Sequence, residues 1–218
     1  MRFEDQRKLM VKNQLINKGI CDSRVIKAFE KIPREMFVND EWKDLSYKDH
    51  PLDIGLQQTI SQPFIIALMM SLLKLVETDI VLEIGTGSGY LTALLAEIVA
   101  EVYTVERIDE LMVRAKKTLK TLDYSNIYFK IGDGSLGWVN AIPNIKKFDK
   151  IIISAASPHS PTILLSQLKE NGLLVIPEGS LQKQDLVLYQ KKGDEVLSHK
   201  CCECSFVPLI GIEGWNDD

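Results

Sequence analysis

The chain has 218 residues, 45% apolar and 26% charged, enough to fill one sizeable α/β domain with extensions. Acidic residues outnumber basic ones 30 to 26, a net charge of −4 that argues against an electrostatic nucleic-acid binder. The first residues, MRFEDQRKLMV, lack an apolar signal core, and the longest mainly apolar run, Pro63–Leu73, is too short to cross a bilayer. A cytoplasmic monomer with no membrane or nucleic-acid partner is expected.

Leu9, Met10, Val11, Leu15 and Ile16 give Arg2–Lys18 a helix-like spacing that ends at Gly19. Asp22 reads as the N-cap of a helix over Ser23–Lys31, which Pro33 stops. The aromatic-rich tract Arg34–Gly55 has little periodicity and is expected to fold over the ligand edge of a sheet as a lid. Pro63 then suits the first turn of a helix to about Leu75. A β/α alternation follows: strand Ile80–Ile84, helix Leu91–Val99, strand Val102–Glu106, helix Glu110–Leu122, strand Ile127–Ile131 and strand Phe148–Ile153. A short helix Pro161–Leu168 leads through Asn171-Gly172 to strand Leu173–Ile176. Asp185–Tyr189 and Val196–Leu209 alternate like antiparallel edge strands. The expected fold is a doubly wound, mostly parallel α/β sheet with an N-terminal helical extension and an antiparallel C-terminal edge. One domain is expected over residues 1–218, with 1–62 as the helical lid and 63–218 as the Rossmann-like core and last strands.

The most informative stretch is Ile80–Tyr90, IVLEIGTGSGY: an apolar strand, glycines at 85, 87 and 89, then a helix. A dinucleotide fingerprint needs Gly-x-Gly-x-x-Gly, but Tyr90 or Thr92 falls at the last position, so both registers fail. What stands instead is Glu-x-Gly-x-Gly-x-Gly, with Glu106 ending the next strand. A carboxylate there can accept hydrogen bonds from both ribose hydroxyls of a nucleoside lying across the turn. With no pyrophosphate to cradle, the site suits S-adenosyl-L-methionine. Gly132-Asp133-Gly134 adds a second acidic signal at a strand end. Function is expected on the carboxyl rim near Glu83–Gly89, Glu106, Asp133-Gly134 and Ser154–Ala156.

His199, Cys201, Cys202 and Cys204 form His-x-Cys-Cys-x-Cys, which invites a metal reading. On a strand, however, Cys201 points away from Cys202 and Cys204, so four ligands would not converge. Reduced thiols and no metal site are expected. His50 reads as a loop residue, Met69-Met70 as core, Trp138 as packing and Lys116-Lys117 with Lys120 as a solvated helix face. His159, in a Ser/Pro-rich loop on the rim, is a candidate substrate contact.

These stretches together resemble the protein-L-isoaspartate O-methyltransferases, which methylate isoaspartyl residues in damaged proteins. The matches span most of the chain. They include Pro33-Arg34-Glu35-Met36-Phe37-Val38, Gln58-Thr59-Ile60-Ser61-Gln62-Pro63, Leu82–Tyr90, Val105-Glu106-Arg107, Gly132-Asp133-Gly134, Val175-Ile176-Pro177 and Phe206-Val207-Pro208-Leu209. The resemblance implies Ser61 as the active-site serine and Gln58–Ser61 as a loop closing over cofactor and substrate carboxylate. It implies a cofactor set of Gln58, Thr59, Ile60, Glu83, Gly85, Thr86, Gly87, Ser88, Gly89, Glu106, Arg107, Asp133 and Gly134, the last two beside the adenine. It also implies that the ester product closes to a succinimide, which hydrolyses partly to normal aspartate. Ser205 and Ser157–Ser160 depart from the family pattern at positions bearing on the peptide.

A substrate carboxylate is ionised at neutral pH, with an unperturbed pKa of about 3.9, so methylating it requires no protein base. The chain must supply position and a desolvated path, worth roughly 7–11 kcal/mol when well executed. Ser61 is expected to orient the carboxylate by donating a hydrogen bond. A second reading makes Ser61 the N-cap beside Pro63. Rival functions are a same-fold methyltransferase acting on another carboxylate and a cofactor-binding pseudoenzyme. Intact Ser61, Glu106 and Asp133 argue against the pseudoenzyme.

Overall fold

A computed structural model describes residues 1–216, so the last two positions of the expected 63–218 core lie outside the described residues. Helix α1 (Phe3–Met10) does not continue regularly to Gly19. It widens into a π turn at Val11–Leu15 and tightens into a 3-10 turn at Ile16–Lys18 before Gly19 ends it at φ 94°. The slip buries the adjacent pair Met10 and Val11 together with Leu15. Helix α2 (Ser23–Lys31) begins as expected, with the Asp22 carboxylate accepting the Arg24 N–H.

The lid tract holds two 3-10 turns, Arg34–Phe37 and Asp40–Leu45, and then an unexpected hairpin, β1 (Leu52–Gly55) against β2 (Gln58–Ile60). Leu56 and Gln57 at its tip both have positive φ (56° and 58°), a backbone usually reserved for Asn-Gly or Gly-Gly pairs, so the sequence carries no turn signal there. Helix α3 (Pro63–Leu72) follows, starting on Pro63.

The central sheet is formed by β3 (Ile80–Ile84), β4 (Glu101–Glu106), β5 (Ile127–Ile131), β6 (Phe148–Ile153), β7 (Leu168–Gly179), β8 (Gln184–Lys192) and β9 (Glu195–Cys204), in the order β5-β4-β3-β6-β7-β8-β9. β3 to β7 run parallel, and β8 and β9 close the edge antiparallel. Helices α4 (Tyr90–Ala96), α5 (Asp109–Lys120) and α6 (Thr162–Ser166) are crossover segments. Alternation on β3 sends Val81 into one core, with α3, α4, α5 and the N-terminal extension, and Leu82 and Ile84 into the other, with Trp138 and Phe148. Successive strands are added on one side of β3 up to β5, and the chain then returns to place β6 on the other side. That reversal opens a crevice at the carboxyl ends of β3 and β6.

Two expectations about the last third need correction. β7 absorbs Asn171-Gly172 instead of starting after it, with Asn171 at φ 60° and a register shift against β6. The expected strand Val196–Leu209 ends at Cys204, because the Gln184 side chain accepts the Phe206 N–H (2.7 Å) and donates to the Phe206 carbonyl (3.1 Å), drawing the chain off the edge. Residues 206–215 then cross the rim as a strap, pairing with Ala156 through Val207 and Leu209 (2.8 Å each). β9 also carries a bulge opposite Leu186 and Val187, which breaks the expected alternation, and Cys201, Cys202 and Cys204 all pack against the same core.

Candidate active site

The crevice opens on the carboxyl rim between the glycine turn, the β1–β2 hairpin and the strap. The glycine turn forms its floor. The Gly85 N–H donates to the Val105 carbonyl and the Ser154 N–H to the Ile84 carbonyl, both at 2.9 Å, so the turn leaves β3 while still tied to both neighbouring strands. Gly85 and Gly89 sit at φ 92° and 87°, and a Cβ on Gly89 would lie 3.2 Å from Ala115 and Leu119 of α5. Glycine is needed there for both the left-handed backbone and the close helix. Under the turn, the Thr86 and Thr104 hydroxyls share a 2.6 Å hydrogen bond.

Glu106 ends β4 and is 6% exposed. One carboxylate oxygen accepts the Gly87 N–H (2.9 Å) and the other the Ile108 N–H (3.0 Å). A carboxylate offers about four lone-pair sites, so two remain for a ligand. Gln58, Thr59, Ile60, Gly85, Thr86, Gly87, Ser88, Arg107 and Gly134 also line the crevice. Gly134 sits so tightly that a Cβ there would lie 2.5 Å from Ile84 Cγ2.

Glu83, Gly89 and the Asp133 side chain are not part of that wall. Glu83 shares the Val81 side of β3, where its Oε2 accepts the Thr92 hydroxyl (2.6 Å) and its Oε1 has no partner among the described residues. Complete burial pushes its carboxyl up to about 8, so it is mainly protonated at neutral pH. Asp133 accepts the Ser135 N–H (2.8 Å) and hydroxyl (2.6 Å) at Oδ1 and the Ile212 N–H (2.8 Å) at Oδ2. Its carboxylate therefore latches the strap, which brings Val207, Pro208, Leu209 and Ile210 into the crevice wall.

Ser61 follows β2 and lines two spaces at once. One is the crevice. The other is bounded by Pro51, Gln62, Ile65 and residues 203–207, with Thr59, Ser154 and Val207 common to both. The N-cap reading of Ser61 does not hold. Gln62 occupies the cap position without a side-chain bond, and the Asp49 carboxylate accepts the Phe64 N–H at 3.2 Å. No hydrogen bond among the described residues uses the Ser61 hydroxyl, whereas its carbonyl accepts from the Arg34 guanidinium at 2.9 Å.

His159 is exposed and bonded to its neighbour's carbonyl, and lines neither space. Met69, Met70 and Trp138 are core. Sequence reasoning missed Asp49, Arg34 and the Val207–Ile210 wall as site components. Pro208 inside the expected terminal strand was a signal for the last of these, since proline cannot donate to a sheet ladder.

The model of the family described as protein-L-isoaspartate(D-aspartate) O-methyltransferase matches residues 5–214. A protein-L-isoaspartate O-methyltransferase of Petrotoga mobilis is 50% identical over 99% of this chain and 100% of its own length. The enzyme of that name from Dictyoglomus thermophilum is 49% identical over 99% of this chain and 96% of its own. A solved protein-L-isoaspartate O-methyltransferase superposes with a TM-score of 0.84 at 30% identity, covering 95% of this chain and 67% of that one. A Plasmodium falciparum structure, described as a putative member in complex with S-adenosyl-L-homocysteine, shares the fold with a TM-score of 0.81 at 24% identity, covering 94% and 98%. On the strength of near-complete coverage at about half identity, this chain belongs to the protein-L-isoaspartate(D-aspartate) O-methyltransferase family.

Proposed function

We propose that the chain methylates the carboxyl group of L-isoaspartyl residues in damaged proteins and peptides, using S-adenosyl-L-methionine. The observation that carries this reading is the position of Ser61, between the crevice at the glycine turn on the carboxyl rim and a second space open to an acceptor. The residues present fit the cofactor. Glu106 keeps free acceptor positions at the sheet's switch point, the glycine turn admits close backbone approach, and Ile84, Val105 and Leu209 offer apolar surface to a flat base. When bound, S-adenosylmethionine supplies an electrophilic methyl group on a sulfonium.

This chain's own residues do the rest. Glu106 accepts from the ribose hydroxyls, and Gln58–Ile60 close the crevice from the hairpin side. Ser61 donates its unused hydroxyl to one oxygen of the acceptor carboxylate, leaving the other free to attack. The strap, anchored by Asp133, walls off water from the path between the two spaces. No group on the protein must move a proton, because the acceptor arrives ionised.

The reading takes the chain as a monomer acting on protein and peptide substrates in the cytoplasm. None of its described helices is long and apolar enough to cross a membrane. The test is labelled methyl transfer to an isoaspartyl peptide and to its aspartyl twin. A base-labile product on the isoaspartyl form alone supports the reading. Transfer to both, or to neither, overturns it.

A further inference from the structure

Arg34 is the largest fully buried side chain of the molecule, at 0% exposure, and it belongs to neither space beside Ser61. It lies behind the Ser61 main chain. Its Nε donates to the Ser46 carbonyl in the lid (2.7 Å), its NH2 group donates to the Ser61 carbonyl (2.9 Å), and its guanidinium carbon stands 5.0 Å from the centre of the Tyr90 ring. Tyr90 is the first residue of α4, directly after the glycine turn, and it lines the crevice. One planar group therefore joins the lid, the serine and the cofactor floor.

The charge is poorly compensated. NH1 makes no hydrogen bond of ordinary geometry among the described residues, and the group that most favours the cation is the neutral Tyr90 side chain facing it. The carboxylate that acts on Arg34, Asp49, is already engaged by the Phe64 N–H and by Lys18 at 2.5 Å. Burial lowers the guanidinium pKa only to about 10, so it stays cationic at neutral pH. A buried ion whose nearest acting carboxylate is shared with other donors is costly, and the fold keeps it behind the position assigned to the acceptor's negative charge.

We propose that Arg34 is a positioning residue for methyl transfer, fixing the Ser61 main chain through its planar fork and placing a positive charge behind the site of the acceptor carboxylate. This rests on the isoaspartyl reading above. The substrate supplies the counter-charge that the shared carboxylate gives only in part, and desolvation on closure strengthens the attraction. The fork and the charge are separable, because lysine keeps the charge but not the planar geometry.

The test uses the full chain with S-adenosylhomocysteine bound, titrated with an isoaspartyl peptide and with its neutral carboxamide analogue. Arg34→Gln is expected to weaken the charged peptide about tenfold, while affinity for the carboxamide peptide and for S-adenosylhomocysteine changes less than twofold. Arg34→Lys is expected to hold the ratio of the two peptide affinities within threefold of wild type yet lose about tenfold in kcat. If Arg34→Gln does not fold, Arg34→Lys carries the test on that ratio and on kcat. An unchanged ratio in Arg34→Gln, an equal loss for both peptides, or an unchanged kcat in Arg34→Lys overturns the proposal. Failure of the wild type to bind and methylate the isoaspartyl peptide instead overturns the parent reading.

Discussion

Around the glycine turn, in the crevice wall and behind it, the carboxylates are spent largely on the protein itself. Glu106 braces Gly87 and Ile108, Asp133 holds Ser135 and the strap, and Glu83 is buried against Thr92. Across the crevice the Ser61 hydroxyl, and behind it the Arg34 NH1, hold donors with no acceptor among the described residues. The contrast separates two tasks. A wall that must present one fixed surface to a nucleoside gains from internal bonds, because a preformed site loses less freedom on binding. A wall that acts on a transient carboxylate must keep its donors open until that carboxylate arrives.

The strongest way to break this contrast is Ser61→Ala. On the reading above, kcat falls about a hundredfold. The melting temperature moves by less than about 2 °C, since Asp49 and not Ser61 accepts the Phe64 N–H. Methyl-transfer kinetics and a thermal melt on one preparation check both halves; unchanged kcat with a lower melting temperature would restore the capping role.

Glu106→Gln tests the other wall. It replaces an acceptor with an amide that faces the Gly87 and Ile108 N–H groups, so S-adenosylhomocysteine affinity is expected to drop at least about tenfold, or about 1.4 kcal/mol, by calorimetry. Full affinity in the variant would remove Glu106 as the sugar anchor.

Gly134→Ala sharpens the comparison by asking whether the cofactor wall is as rigid as it is satisfied. The new Cβ would overlap Ile84 Cγ2, and a loss of about 1–3 kcal/mol is expected in urea unfolding. A neutral substitution would mean that this wall yields.

The effect confined to a pH window concerns Glu83. Its carboxyl is raised in the folded state from 4.5 to about 8, so the native chain holds a proton that the unfolded chain releases. The sign follows from linkage: stability from this group is complete below about pH 4.5 and is lost as pH rises through about 8. Glu83→Gln, which mimics the protonated form, should flatten that decline and gain on wild type with rising pH, by at most a few kcal/mol. Parallel urea midpoints at the two ends of that range check it, and a difference that does not depend on pH would place the titration elsewhere.

Much of the fold was legible because its signals are local. Ile80–Ile84 and Phe148–Ile153 are apolar runs of strand length and match β3 and β6 residue for residue, while Asp22 and Pro63 mark helix starts by their own chemistry. The hairpin tip was silent, because Leu56 and Gln57 take a left-handed backbone that their side chains do not announce and that the packed lid imposes. The start of the strap resembles strand because Phe206, Val207 and Leu209 are apolar residues continuing the run from Val196, and only the Gln184 side chain, 22 positions away, pulls it from the edge.

The sequence by itself determined the sheet, the glycine turn, the acid at the end of β4 and the family, since each rests on neighbouring residues whose spacing fixes backbone form. Tertiary structure alone decided what each polar group faces. It turned Asp133 to the strap and Glu83 into the core, relieved Ser61 of capping and left Arg34 buried behind it. A carboxylate or hydroxyl has the same chemistry in any sequence context, and its role is set by which donors, charges and solvent the fold brings within reach.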